Sequence, residues 1–504
     1  MERIPDKTAP QPQRRRNAAY YIKSAVGLAL MLGGQFLPPP PPITASGVAL
    51  LGLFFGLIFL YAFVDTVWPN FAAMCIFAFH AFRVFPDSTQ TSGIDAAGSW
   101  VFGCSISVFL FAILVLSFAL EDCGLLHRLA MWLLTRKAAQ KSPWAFSMTL
   151  LLAALILALF MDCSPVTVVM LAIVHPVFRA LGFREGDAWP RAMVTCITWS
   201  ACTGFWMTPI GHDIAAMFLG MTAALTGESV NYFSYMLVGI PLGLVVFALI
   251  FCYLRFVMRP DVSRFRDLDL SVLESLRPGR MERKERWTAI LCSAVLVLLV
   301  LPSMLETFAP GSAPARLFSS VLTPTYITYA AIALMALLRV EGEPLLDLPK
   351  ACAHIAWPIL FLVGTVVMVA TGLNEPGTGI PQWVAENLAP LLGGPGPYLT
   401  FAVIAVAAVL LCNIVNNLAV GAILCAVCAP LCGSGKLSTA VLAVTISVCC
   451  QMCYTTPAAI PTIAFATGDS YCDSGFVLRH GAVMALMAAL IIGVLLYPLA
   501  SWIL

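Results

Sequence analysis

Four stretches place chemistry-bearing residues beside helix breakers inside runs that are otherwise apolar. They are Asp162-Cys163-Ser164-Pro165, Met207-Thr208-Pro209-Ile210-Gly211-His212-Asp213, Asn413-Ile414-Val415-Asn416-Asn417 and Tyr454-Thr455-Thr456-Pro457-Ala458-Ala459-Ile460-Pro461. Proline and glycine free backbone N–H and C=O groups from the helical ladder. Freed N-termini suit an anionic group, and freed C-termini suit a cation. Ser164, Thr208, Asn416, Asn417 and Thr456 add hydroxyl and carboxamide donors able to hold a carboxylate. No Lys or Arg lies in any of the four stretches, so a bound anion would be balanced by dipoles and by an accompanying cation. Asp162 and Asp213 are the only carboxylates among them.

The elements that carry these stretches belong to a membrane. With 60% hydrophobic and 11% charged residues over 504 positions and a mean hydropathy of +0.90, a water-soluble globule is excluded. The expected fold is an all-α polytopic membrane protein. Apolar runs fall at about 20–37, 45–64, 67–85, 100–120, 145–178, 190–222, 232–257, 287–308, 323–339, 355–373, 398–431, 437–468 and 476–503. Runs 145–178 and 398–431 are too long for one crossing and are polar near their middles, which suits re-entrant hairpins. That reading leaves eleven expected transmembrane helices. With the N-terminus cytoplasmic and the C-terminus outside, it puts nearly all Lys and Arg inside, Arg83, Arg316 and Lys436 excepted. An ionised carboxylate at membrane depth costs several kcal/mol unless paired or wet, so Asp162 reads as a coupling group for a cation or proton, with helix capping as the plainer role.

The organisation expected is a cytoplasmic tail at 1–19, scaffold helices at 20–144, a first transport repeat at 145–258, a basic cytoplasmic linker at 259–286, further scaffold helices at 287–397 and a second transport repeat at 398–504. Each repeat contains a hairpin followed by a broken helix, and the charge bias makes the two inverted. Such symmetry is a source of alternating access. The chain has 17 cysteines, most of them in apolar runs, where a thiol behaves as a small hydrophobe; they read as reduced core residues, the Cys425-Ala426-Val427-Cys428 spacing included. His175 and Asp469 read as a structural and a solvated residue. No nucleophile with a base, nor a His pair with a carboxylate, supports the rival reading of an intramembrane enzyme.

Three stretches are similar to the divalent anion/sodium symporter family of the ion-transporter superfamily. Tyr232-Phe233-Ser234-Tyr235-Met236-Leu237-Val238-Gly239-Ile240-Pro241-Leu242 resembles that family's helix entry after its first broken helix. Leu346-Asp347-Leu348-Pro349-Lys350, with Trp357 and Thr371-Gly372-Leu373, resembles its entry into the second scaffold half. Thr456-Pro457 through Ala466-Thr467-Gly468 resembles its second broken helix. The family marks each hairpin tip with Ser-Asn-Thr; here the tips read Cys163-Ser164-Pro165, followed by Thr167, and Asn416-Asn417-Leu418. Both breaks keep Thr-Pro and lack the asparagine that follows it in the family.

The resemblance implies a secondary active transporter, symporter or exchanger, of small organic anions such as di- or tricarboxylates. It implies coupling to sodium or protons through an elevator-like mechanism, and a homodimer. Ser164, Thr167, Thr208, Asn416, Asn417, Thr456 and Pro457 would then face the substrate. Asp162, Cys163, Gly204, Gly211, Asp213, Asn413 and Ala458 would serve the coupling cation, sodium if a metal is used; no other cofactor and no nucleic acid are expected. A bacterial inner membrane is the expected location. The rival within the superfamily is a cation/proton antiporter or a transporter of inorganic oxyanions or metalloid anions.

Overall fold

The computed structural model describes residues 18–65, 67–86, 88–136, 141–209, 213–263, 279–309, 311–355, 357–387, 396–433 and 437–504. The chain is helical nearly throughout. Among the described residues, six helices are long and apolar enough to cross a membrane by length and composition: Ser105–Asp122, Cys163–Ala180, Tyr232–Met258, Arg283–Pro302, Trp357–Asn374 and Ser474–Ile503. The described strands are one two-residue pair, Arg339–Val340 antiparallel to Glu343–Pro344 with Arg339 opposite Pro344. Glu341 and Gly342 turn between them with φ of 58° and 90°, the positive values a tight hairpin turn requires.

Both long apolar runs fold back on themselves. The first hairpin has arms Pro143–Ala158 and Cys163–Ala180; the second has arms Pro397–Cys412 and Asn417–Gly433. Local chemistry sets the bends. Ser142 caps the first arm by accepting from Ala145 N at 3.1 Å, with Pro143 at the first helical position. Asp162 restarts the chain as a helix by accepting from Ser164 N at 2.6 Å. At the second bend Asn416 does the same, its side-chain oxygen accepting from Leu418 N at 3.0 Å and Ala419 N at 3.3 Å.

Two helices that stop short form the centre. In the first broken helix, Ala188–Met207 precedes a break and then Asp213–Thr226; in the second, Thr439–Cys449 precedes a longer non-helical stretch and then only Ile463–Thr467. Every residue from Ala192 to Met207 is buried, as is every residue from Val441 to Tyr454, so over these stretches neither helix presents a face to the surface, and both belong to the interior. The second break therefore opens earlier than its prolines suggest. Gly204 lets Ala188–Met207 lie directly on the first hairpin, since a Cβ there would sit 2.2 Å from the Leu155 carbonyl. Gly481 does the same for the last helix, Ser474–Ile503, against the Tyr454 carbonyl at 2.2 Å. Small residues thus permit backbone contact where helices pack without water.

Two stretches read as continuous apolar runs are interrupted. Run 67–85 divides into Trp68–Ala78 and Ala81–Val84, and the run from about 100 is divided by extended Cys104 into Gly93–Gly103 and Ser105–Asp122. All 17 cysteines are free, Cys425 and Cys428 among them, both buried.

Candidate functional site

The two hairpin tips and the second break converge. The Asn417 backbone N–H, at the start of the second hairpin's second arm, donates to the Ala459 carbonyl at 3.1 Å. Three residues further along the break, the Thr462 hydroxyl lies 2.7 Å from Ser164 Oγ and 3.1 Å from Cys163 Sγ at the first tip. Thr462 carried no motif and was not expected here; only the fold makes it the bridge between halves. The first broken helix joins from the side, with Trp199 Nε1 donating to the Tyr454 carbonyl at 2.9 Å and Thr203 Oγ1 3.3 Å from the Tyr454 hydroxyl. Its second segment, Asp213–Thr226, packs on the second hairpin, where Gly421 leaves room for the Phe218 ring.

In both halves the threonine before the break proline fastens the break to a hairpin tip. The Thr208 hydroxyl donates to the Leu159 carbonyl. The Thr455 and Thr456 hydroxyls both donate to the Asn413 carbonyl, that of Thr456 at 3.4 Å, and Thr456 Oγ1 also accepts from Ala459 N at 3.2 Å. Leu159 and Asn413 are the C-caps of their respective first arms, so these bonds satisfy carbonyls that the helix leaves free.

Other expected ligands keep polar atoms in reserve. Thr167 Oγ1 and Asn417 Nδ2 are buried with no hydrogen-bond partner among the described residues, an arrangement that costs about 1–3 kcal/mol per group unless something else pairs with it. Asp162 is half-buried and used as a cap, Asn416 likewise; Pro457 and Ala458 lie exposed on the turn of the second break. Gly211 lies outside the described residues, as does His212, and Asp213 is described by its backbone alone. Among the described residues of the tips and breaks there is no Lys or Arg.

A second cross-link lies farther out on the same elements. His175 Nε2, near the far end of the first hairpin's second arm, is 2.8 Å from Asp469 Oδ2. The aspartate side chain is 4% exposed, so the solvated role expected for it does not hold. Its other oxygen accepts from Tyr471 N at 2.9 Å, and the Tyr471 ring packs on His175 and Phe178.

Two helix hairpins and two interrupted helices gathered around a polar junction are the arrangement in which secondary transporters of discontinuous-helix type bind their cargo. Residues 24–449 match the family model described as citrate transporter, CitMHS. This chain belongs to that citrate transporter family, whose members are transporters and not enzymes. Among curated proteins it is similar to the sodium-dependent dicarboxylate transporter SdcS of Staphylococcus saprophyticus, 23% identical over 372 residues, or 70% of this chain and 69% of that one. It is also similar to the L-tartrate/succinate antiporter of Shigella boydii, 23% identical over 332 residues covering 61% and 60% of the two chains. The Na(+)/dicarboxylate cotransporter 3 of Homo sapiens is 30% identical over 154 residues, 30% of this chain and 25% of that one. The fold is shared with the crystal structure of the Alcanivorax borkumensis YdaH transporter, with a TM-score of 0.59 and 17% identity over 90% of this chain and 98% of that chain. The likeness to divalent anion/sodium symporters read from the sequence is borne out.

Proposed function

We propose that the protein moves small organic anions of the di- or tricarboxylate class across the membrane by alternating access, with a coupling cation. The observation that carries this reading is the pair of unpartnered buried donors, Thr167 Oγ1 and Asn417 Nδ2, placed behind the two hairpin tips. Two helix N-termini, at Cys163 and Asn417, add partial positive charge at the same tips. Donors without a fixed cation suit a carboxylate that must be released again. The names of the relatives support the substrate class, and sodium in two of them supports sodium as the ion.

In this reading Ser164, Thr167, Asn416, Asn417 and Pro457 face the anion, while Thr208 and Thr456 hold the breaks against the tips. Asp162 carries the coupling ion beside Cys163. The two hairpin-and-break units form inverted repeats, move together as an elevator against the scaffold helices, and the protein pairs as a homodimer in a bacterial inner membrane with its N-terminus cytoplasmic and its C-terminus outside. Asp162→Asn retains an N-cap and therefore isolates the charge: gradient-driven uptake should disappear while exchange partly survives.

The test is reconstitution in liposomes with radiolabelled succinate or citrate under an inward sodium gradient, an inward proton gradient, or neither. Accumulation requiring one gradient, with counterflow on adding cold substrate, is the expected result. Folded protein that accumulates neither acid under any gradient overturns the substrate class.

A further inference from the structure

Asn413 is used more completely than any other polar residue of the site. Its Nδ2 donates to the Val409 carbonyl at 2.8 Å and to the Met452 carbonyl at 2.7 Å. Its Oδ1 accepts from Tyr454 N at 2.7 Å and lies 3.2 Å from Thr455 Oγ1, whose single proton goes to the Asn413 backbone carbonyl. Both amide donors and one of the oxygen's two acceptor sites are thus engaged within the protein. The orientation of the amide follows from its neighbours, because a flipped group would set its oxygen against two carbonyls and its NH2 against a backbone N–H.

The place it fills is one that electrostatics would otherwise give to a cation. Pro397–Cys412 and Thr439–Cys449 both end beside it, so two helix C-termini with partial negative charge converge there together with the Met452 carbonyl. A hard cation at such a point gathers several oxygens at about 2.3–2.6 Å. Here the amide NH2 stands between the Val409 and Met452 carbonyls, and the Asn413 carbonyl is taken by Thr455 and Thr456. Gln451 Oε1 and, one turn earlier, Ser447 Oγ are the buried side-chain oxygens without a partner among the described residues from Thr439 to the end of this break, fewer than the about six to eight oxygens that a hard cation gathers.

The first half is built differently. Its counterpart of Asn413, the residue closing the first arm, is Leu159, which has no donor to place between carbonyls. A carboxylate, Asp162, follows three residues later.

We propose that the Asn413 carboxamide stands in for a cation in the second half of the site, so that the protein binds no more than one coupling ion per chain and binds it in the first half. Asn413 is on this account a positioning residue: it holds the second tip to the second break permanently, where an ion would do so only when bound. The inference rests on the transporter reading for its meaning, yet its test needs no substrate.

The experiment is a thermal melt of the purified full chain in nanodiscs, titrated with sodium chloride against choline chloride. Ligand linkage makes the melting temperature rise with the number of ions bound. The wild type should follow a single-site curve or none. Asn413→Asp, the same shape with an oxygen in place of NH2, faces the Val409 and Met452 carbonyls and should acquire a steeper, two-site sodium response or a new stabilisation at acid pH. Two cooperative sodium ions in the wild type would overturn the proposal. So would a folded N413D whose sodium and pH responses match the wild type. If N413D does not fold, the wild-type curve decides alone. Loss of succinate transport with a single-site melt would refute the substrate class and leave this inference standing.

Discussion

His175 and Asp469 form a 2.8 Å pair between the first hairpin and the segment that follows the second broken helix, 294 residues apart in sequence. The aspartate is almost enclosed, at 4% side-chain exposure, while the histidine is 30% exposed. Their losses should therefore differ. His175→Ala leaves an enclosed carboxylate with only the Tyr471 N–H, at a cost of about 1–3 kcal/mol, whereas Asp469→Asn leaves a half-wet imidazole and should cost less. Melting curves of the two variants check the order; equal or reversed losses would show that the pair does not bear on stability.

Asn417 offers a sharper separation of binding from folding. Its Nδ2 is buried without a partner, so Asn417→Leu removes a donor that contributes nothing to the empty fold. The variant should melt no lower than the wild type, because it loses an unpaired buried donor, while succinate uptake falls at least tenfold, about 1.4 kcal/mol of lost interaction. A large drop in stability with normal uptake would assign Asn417 to structure alone.

Gly204→Val puts a branched side chain where even a Cβ would lie 2.2 Å from the Leu155 carbonyl. Backbone cannot yield as a flexible side chain does, and overpacking of this kind costs about 1–3 kcal/mol or more. Reduced yield of folded protein in size-exclusion chromatography is the expected outcome. A well-folded G204V with unaltered melting would mean that the helix and hairpin are not in backbone contact.

Asp473 caps the last helix, accepting from Phe476 N at 2.8 Å, and lies 3.3 Å from Arg191. The Phe476 N–H above all holds the carboxyl below the usual aspartate range; burial opposes it, and Arg191 adds a lesser lowering. A carboxyl lowered in the folded state stabilises fully above its unfolded pKa of about 3.9 and loses that contribution as pH falls through the folded value. Asp473→Ala should cost about 1 kcal/mol at neutral pH, chiefly as a lost cap, and its difference from the wild type should shrink below pH about 4. The side chain is 59% exposed, so the part due to Arg191 is small and should fade in salt. Melting curves at neutral and acid pH check this.

Much of this arrangement was legible from residue order. Runs 145–178 and 398–431 were too long and too polar at their centres to be single helices, and Thr208-Pro209 and Thr456-Pro457 announced breaks because proline cannot continue the ladder. The interruptions near Phe79 and at Cys104 were missed: no proline marks either, and His80 at the one and Gly103 and Ser105 at the other are single residues inside runs taken as continuous. Thr462 and the pairing of His175 with Asp469 were hidden for another reason. Each is an ordinary residue in its own segment, and its role exists only after elements from opposite halves meet. Asn413 was read as a cation ligand from its place at the tip; what its amide donates to depends on Met452, which no local pattern connects with it.

The second arm of the first hairpin is fastened to the 462–469 segment twice, by Ser164 with Thr462 and by His175 with Asp469. The two fastenings are eleven residues apart along the helix, about 16 Å of rise. A beam pinned at both ends does not swing like a door. For its tip to peel open the Ser164–Thr462 fastening has to break, and for its far end to lift the enclosed Asp469 carboxylate has to be stripped of His175, so bending is the costly mode of motion. Sliding of the whole clamped piece breaks neither fastening. If the clamped piece moves as proposed, the give belongs at the seam between Asp213–Thr226 and Ser105–Asp122, where Gly220 rests on Ile106, and a bulkier residue at that seam would act as grit in a bearing, slowing turnover without loosening the grip on substrate.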